Sequence, residues 1–273
     1  MRDVQPLPDI TVIISECRDG DDSCRLLDSR LIGLIADQFC HLKQVMVPYL
    51  YDLDPEGPAV SHLRSISGEL VVLSWLNPRA AGWLLDANGI EGYAEDRRQL
   101  RAITCVDLRR HDSADSVVED LHSLLDAGED NPDAGTPEVR APVRVEEVTR
   151  RRWYPVIDFD RCENCLECLD FCLFGVFDLD ESGRIAVLDA DACRDGCPAC
   201  ARVCPSQAIM FPHHDNRAVA GDVAAGPGAM GPELLQLSPL TDAGQLADTQ
   251  RNRALAEKDE LDKLVDELDE MDL

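Results

Sequence analysis

Apolar residues in the first half of the chain alternate between strand-like and helix-like spacing. Thr11-Val-Ile-Ile-Ser15 is a short, β-branched run suited to a buried strand. Between Asp28 and Phe39, the positions Leu31, Ile32, Leu34, Ile35 and Phe39 fall at helical spacing, with Asp28 or Ser29 as the expected N-cap. Gln44–Tyr51 predicts a second strand, Pro58–Ile66 a short helix and Glu69–Trp75 a third strand. Pro78–Asn88 predicts a helix capped by Asn77, opened by Pro78 and stopped by Gly89. Leu100–Leu108 predicts a fourth strand, and Ala114–Leu125 an amphipathic helix capped by Ser113. Strands separated by helices of about ten residues imply βαβ units, hence a parallel sheet covered on both faces.

Residues 10–127 are therefore expected to form a three-layer α/β domain, flavodoxin-like or Rossmann-like, behind a flexible end over 1–9. The turn after the first strand, Glu16-Cys-Arg-Asp-Gly-Asp-Asp-Ser23, matches neither G-x-G-x-x-G nor a P-loop, and its carboxylates would repel a phosphate. A flavin or nucleotide in this domain is an open alternative with no motif to support it. Residues 128–152 read as a polar, turn-rich linker ending in Arg150-Arg-Arg152. Residues 153–214 form a second, small α+β unit. Tyr154–Asp160 is its opening strand, Gly175–Asp180 and Arg184–Leu188 flank the turn Glu181-Ser-Gly183, and Ala208–Phe211 closes it against the opening strand. Residues 215–252, rich in Gly, Ala, Asp and Pro, are expected to be a disordered tether. Residues 253–273 end in an acidic amphipathic helix with Leu261, Leu264, Val265, Leu268 and Met271 on one face. That stripe suits either the chain's own surface or a partner groove.

Composition narrows the function. The chain carries 53 acidic against 26 basic side chains, a net charge of −27, which argues against nucleic acid and for encounter with basic docking surfaces. No apolar run reaches the roughly 18 residues that span a bilayer, so no membrane insertion is expected. The N-terminus lacks the layout of a secretory signal, which places the chain in the cytoplasm.

Eight of the twelve cysteines lie between Cys162 and Cys204. They read Cys162-x2-Cys165-x2-Cys168-x3-Cys172, then Cys193-x3-Cys197-x2-Cys200-x3-Cys204-Pro205. Thiols spaced this way in an intracellular chain suggest metal binding rather than disulfides. Three thiolates two or three residues apart can wrap one corner of an iron–sulfur cube, while the fourth is carried away to another. A structural zinc site and an empty, degenerate fold are the alternatives; zinc motifs do not usually carry paired runs ending in Cys-Pro.

These runs, with Val156-Ile-Asp-x-Asp-x-Cys162 and Cys204-Pro-Ser-Gln-Ala-Ile209, resemble the bacterial two-[4Fe–4S] ferredoxin family over roughly a quarter of the chain. The resemblance implies one cube on Cys162, Cys165, Cys168 and Cys204, and another on Cys172, Cys193, Cys197 and Cys200. Leu166, Leu169, Phe171, Leu173, Phe174, Val176, Ala199, Ala201, Val203 and Ile209 are expected to form a dry shell around them. The chain departs from the family at Leu173, where proline is usual, and at Arg194-Asp-Gly196, one residue longer than usual. Gly196 can absorb the extra residue.

Val71-Val-Leu-Ser-Trp-Leu-Asn-Pro-Arg79 and Asn88-Gly-Ile90 resemble segments of the heterodisulfide reductase group and its hydrogenase delta-subunit relatives. Those proteins carry a cysteine near the position of Trp75. Cys17, Cys24, Cys40 and Cys105 form no recognised ligand spacing and read as unrelated thiols, a thiol pair or extra cluster being the alternative. His213-His214 reads as a solvated loop pair before a metal site. Arg150–Arg152 either dock an acidic partner or balance local carboxylates. The expected function is an electron carrier or redox-complex subunit relaying single electrons between redox protein partners. The alternatives are an oxidoreductase whose α/β domain carries a flavin or thiol site, and a redox-sensing scaffold.

Overall fold

A computed structural model describes residues 10–18, 22–40, 42–93, 101–125 and 142–222. The expectations for 1–9, the first part of the linker and the tail from residue 223 onward lie outside the described residues. The N-terminal part runs β1 (Ile10–Ser15), α1 (Asp22–Gln38), β2 (Lys43–Val47), α2 (Pro58–Ser65), β3 (Glu69–Ser74), α3 (Pro78–Ala87), β4 (Ile103–Asp107) and α4 (Ala114–Leu125). A short strand β5 (Val143–Arg144) follows. All four pairings are parallel, in the order β4-β3-β1-β2-β5.

Alternation along the strands divides the core in two. Val12 and Ile14 of β1 pack with Leu31 and Ile35 of α1, with Phe39 just after it, and with Val117, Val118 and Leu121 of α4. Ile13 faces the other way, among Ala59, Val60 and Leu63 of α2 and Ala80, Trp83 and Leu84 of α3. The α/β domain therefore has three layers, as the alternating pattern predicts. Its first four strands take the 2-1-3-4 order of flavodoxin-like sheets, in which the chain reverses direction between β1 and β3.

Three boundaries differ from expectation, each for a local reason. Helix α1 begins at Asp22, so Asp28 is an internal, buried residue instead of a cap. Its carboxylate accepts from the Cys17 N–H (2.9 Å) and the Trp75 indole (3.1 Å), which joins the loop after β1 to the end of β3. Strand β2 stops at Val47 because Pro48 has no N–H to donate. The chain then turns through a 3-10 helix, Leu50–Asp52. The segment expected as a plain linker contributes β5 to the sheet edge. It also sends Glu147 to accept from the N–H groups of Asp54 (2.9 Å) and Ala59 (3.0 Å) at the start of α2. Asn77 caps α3 by accepting from the Arg79 N–H, and Gly89, at φ +72, ends it as expected.

The second unit is β6 (Val156–Ile157), α5 (Glu167–Phe171), β7 (Phe177–Leu179), β8 (Ile185–Val187), α6 (Ala199–Val203) and β9 (Ile209–Met210). Opening strand β6 pairs antiparallel with closing strand β9, and β7 with β8 across the Glu181–Gly183 turn. Tyr154, Val156 and Met210 complete the core around α2 and α3, so the two units share one apolar interior. Residues 215–222, expected to begin the tether, fold back instead. The Phe211 N–H donates to the Val219 carbonyl (2.8 Å), and Val219 and Ala220 are buried.

Candidate metal centre

The cysteine runs are shaped by residues in the left-handed region. Asn164 (φ 54) and Leu166 (φ 66) lie between the first three cysteines, and Gly196 (φ 72) lies just before Cys197. Asparagine and glycine take this conformation at little cost, whereas for leucine it is strained. These turns direct main-chain N–H groups inward. Asn164, Leu169 and Ala201 donate to the sulfurs of Cys162, Cys168 and Cys200, and the Ala208 N–H reaches the Cys204 sulfur at 3.3 Å.

The thiols gather in two groups. Cys162, Cys165, Cys168 and Cys204 line one narrow cavity of about 10 Å³, with apolar walls that include Ile157, Leu166, Ile185 and Ile209. Burial pushes the Cys168 thiol up to about 11, and the neighbouring Cys204 and Cys162 add to the shift. Burial also raises Cys162, with Cys204 and Cys165 contributing. Around the second group, burial pushes Cys193 up to about 12, helped by Cys197 and Cys172. Burial raises Cys200 as well, followed by Cys193, Cys168 and Cys172. The groups adjoin through Cys200 and Cys168.

This donor set suits a polycationic iron–sulfur core. The thiols are soft donors, and sulfurs that resist ionising alone are ones a bound cation would deprotonate. Small apolar walls and inward N–H groups are the protein features that support such a core. Among the described residues, no three His, Cys, Asp or Glu side chains converge on one ion-sized point.

No family model matches the chain. Over 61 residues, 22% of its length, it is 44% identical to the uncharacterized ferredoxin MJ0251 of Methanocaldococcus jannaschii, covering 41% of that protein. It is 38% identical to pyruvate synthase subunit PorD of the same organism and 37% identical to PorD of Methanothermobacter marburgensis, covering 69% and 68% of them. Over the matched stretch the chain is consistent with a ferredoxin domain. The matched length is that of the cysteine unit, and the chain spans about two-fifths of MJ0251.

The ferredoxin unit is fixed to the α/β domain by contacts that the sequence did not signal. The Arg79 guanidinium, buried at the start of α3, donates to Asp158 (2.5 Å) and to the Gln207 carbonyl (2.8 Å). Asp158 precedes the first cysteine run, and its carbonyl accepts the Cys162 N–H (3.0 Å); Gln207 follows Cys204. Arg79 therefore holds both ends of the first thiol group. Tyr51 stacks on Tyr154 with centroids 4.5 Å apart; its hydroxyl donates to the Tyr154 carbonyl (2.5 Å) and accepts the Tyr154 N–H (2.7 Å). Asp52 accepts both Arg18 (2.6 Å) and the Arg152 N–H (3.0 Å). Asp158 stands in the quoted ferredoxin motif, but its partner lies 79 positions away, with no spacing to announce it.

The remaining candidates resolve into structural roles. Arg150 and Arg152 both pair with Asp191, and Arg152 lies over the Tyr154 ring at 4.5 Å, so two of the three basic residues balance local carboxylates. His213 sits against Tyr49 (5.2 Å), and His214 accepts the Asn216 N–H (2.9 Å). Burial and then Asp28 push the Cys17 thiol up to about 12, and burial alone does the same to Cys105. At the β1/β3 crossover, where open α/β sheets hold ligands, Trp75 and Cys17 converge on Asp28. The expected dry shell is incomplete: Phe171 (52%), Leu173 (83%) and Phe174 (40%) are exposed, because they lie at the end of α5 and on the turn that follows it, beyond the cover of either unit.

Proposed function

We propose that the protein is a two-[4Fe–4S] electron-transfer subunit that works with redox protein partners in the cytoplasm. One cube would be held by Cys162, Cys165, Cys168 and Cys204, and the other by Cys172, Cys193, Cys197 and Cys200. What supports this reading is that the first four of these thiols line one apolar cavity. Cubes bound there would supply single-electron storage and release with little rearrangement. The chain's own residues would exclude water, aim N–H groups at the sulfurs and, through Arg79, fix the first ligand loop. The PorD relatives, named as pyruvate synthase subunits, support a place in a redox complex. Among the described residues no helix is long and apolar enough to cross a membrane.

The test is anaerobic purification with iron and sulfide assays and a reductive titration followed by electron paramagnetic resonance. About eight iron and eight sulfide per chain, reversibly reduced, are expected. Stoichiometric zinc, or iron lost on one reduction cycle, would overturn the reading.

A further inference from the structure

The two sides of the ferredoxin unit differ in what covers them. On one side Cys193 packs against the α/β core and Trp153 donates to the Cys197 carbonyl (3.1 Å). On the other side nothing among the described residues covers Cys165, Phe171, Leu173 or Phe174, all of which are exposed. Exposed carboxylates lie on the elements next to this apolar spot. Glu163, Glu167 and Asp170 lie on the same loop and helix. Asp180 and Glu181 are brought alongside by Asn164, whose side chain donates to the Gly183 carbonyl (3.0 Å) and accepts the Ile185 N–H (2.8 Å). Arg184, also exposed, has its guanidinium turned over the Phe159 ring at 4.6 Å.

We infer that Phe171, Leu173 and Phe174, with Glu163, Glu167 and Asp170 on the adjoining elements, form the docking surface for a redox partner whose contact face is an apolar centre ringed by lysine and arginine. Charge complementarity carries the choice of occupant. The chain's own C-terminal stripe is set among acidic residues, and a second copy would bring the same carboxylates, so either would meet like charge. An apolar centre with a charged rim gives contact energy from the centre and encounter rate from the rim. The surface adjoins Cys172 and Cys165, one from each thiol group, so a partner seated there lies beside both. This inference rests on the electron-transfer reading and adds where the partner sits.

The test uses the full, cluster-loaded chain and cytochrome c, a small haem protein with lysines around its exposed haem edge. Calorimetry gives the affinity and stopped flow gives the reduction rate. Affinity should weaken about tenfold between low and physiological salt. Replacing Leu173→Ser with Phe174→Ser, or Glu167→Lys with Asp170→Lys, should each weaken it about tenfold. Asp37→Lys with Glu119→Lys, the same charge change on exposed positions of α1 and α4, should leave it within about twofold. Equal losses from both charge-reversal pairs would mean attraction by net charge alone and would overturn the proposal. So would unchanged binding by the apolar pair, concentration-dependent dimers abolished by Leu173→Ser, or tighter cytochrome binding on truncation before Ala254. Iron and sulfide content of every variant separates the two readings: a metal-free chain that still binds through the surface sinks the cluster assignment and keeps the docking site.

Discussion

Helices α5 and α6 each have five residues, and each holds the third cysteine of its run, Cys168 or Cys200, as a buried second residue. Each ends on the fourth cysteine, whose N–H returns to the carbonyl of the third at 3.2 Å. Just before the second cysteine comes a left-handed residue, Asn164 or Gly196, and three residues after the fourth comes another, Gly175 or Gln207. The two halves thus present their sulfurs by one local plan, even though the second run is a residue longer. Their surroundings differ. The first half exposes Cys165 to solvent and is tied to the α/β domain by the Arg79 ion pair. The second places Cys193 against the α/β core beside Tyr51. Local backbone geometry sets how the thiols are offered; the neighbouring domain sets which side a partner can reach.

The most severe way to break this comparison is to remove the buried third thiol from each half. Cys168→Ser and Cys200→Ser should each lower iron from about eight to about four per chain, leaving the other cube in place. Iron and sulfide assays with paramagnetic resonance would check this. If Cys168→Ser emptied the chain while Cys200→Ser did not, the halves would not be equivalent, and the first would be required for the second.

The next contrast lies in the two attachments to the α/β domain. Arg79→Met leaves Asp158 charged, buried and without its closest partner, which should cost about 3 kcal/mol. Tyr51→Phe strips the Tyr154 N–H and carbonyl of the Tyr51 hydroxyl and should cost about 2 kcal/mol. Urea midpoints measure both losses. Hydrogen exchange should rise around Cys162 in the first variant and around Tyr154 in the second; the same pattern in both would mean that the attachments open as one.

Much of this was legible in the sequence because it is local. Periods of two and of three to four located the strands and helices, and Asn77, Pro78 and Gly89 marked α3 at both ends. Cysteine spacing marked both halves, and Gly196 was readable as the residue able to take up the extra position. What escaped was set by tertiary contact. Asp28 looked like a cap because it precedes an apolar stripe; only the fold shows it holding Trp75. β5 is two residues whose strand character comes from β2. Phe171, Leu173 and Phe174 looked like core by type, and exposure is not encoded in type. Arg79, Tyr51 and Glu147 act on residues far along the chain, and hydrophobic patterning does not register such pairs.

A finer test bears on the left-handed residues, which share a conformation and differ in what their side chains do. Nothing lies within 4 Å of a Cβ built on Gly196, so the cost of Gly196→Ala is backbone alone, about 1 kcal/mol. Gly196→Asn should recover most of that, since asparagine tolerates this region. Asn164→Gly relaxes the same dihedral yet loses the bonds to Gly183 and Ile185, and should cost about 1 kcal/mol by that route. Thermal midpoints of the loaded protein would rank them; a neutral Asn164→Gly would mean that the first half, like the second, needs only the dihedral.

The smallest expected effect reports on the second half through its aromatic neighbour. Trp153, which donates to the Cys197 carbonyl, stacks on Phe211 and lies 6.3 Å from the His214 ring. Partial burial, and then the Arg202 charge, hold the His214 imidazole below its ordinary value, while Asp215 acts the other way. A histidine depressed in the folded state binds fewer protons there than when unfolded. Its contribution is therefore favourable above the unfolded pKa of about 6.5 and is lost as pH falls through the folded value. Because the ring is only partly buried, the loss should be about a few tenths of a kcal/mol between pH 7.5 and 5.5. His214→Asn, whose amide oxygen can still accept the Asn216 N–H, should flatten that slope without changing stability at pH 7.5. A loss that persists in this variant would assign the slope to groups in the thiol halves themselves, and an accompanying change in the resonance of one cube would say which half.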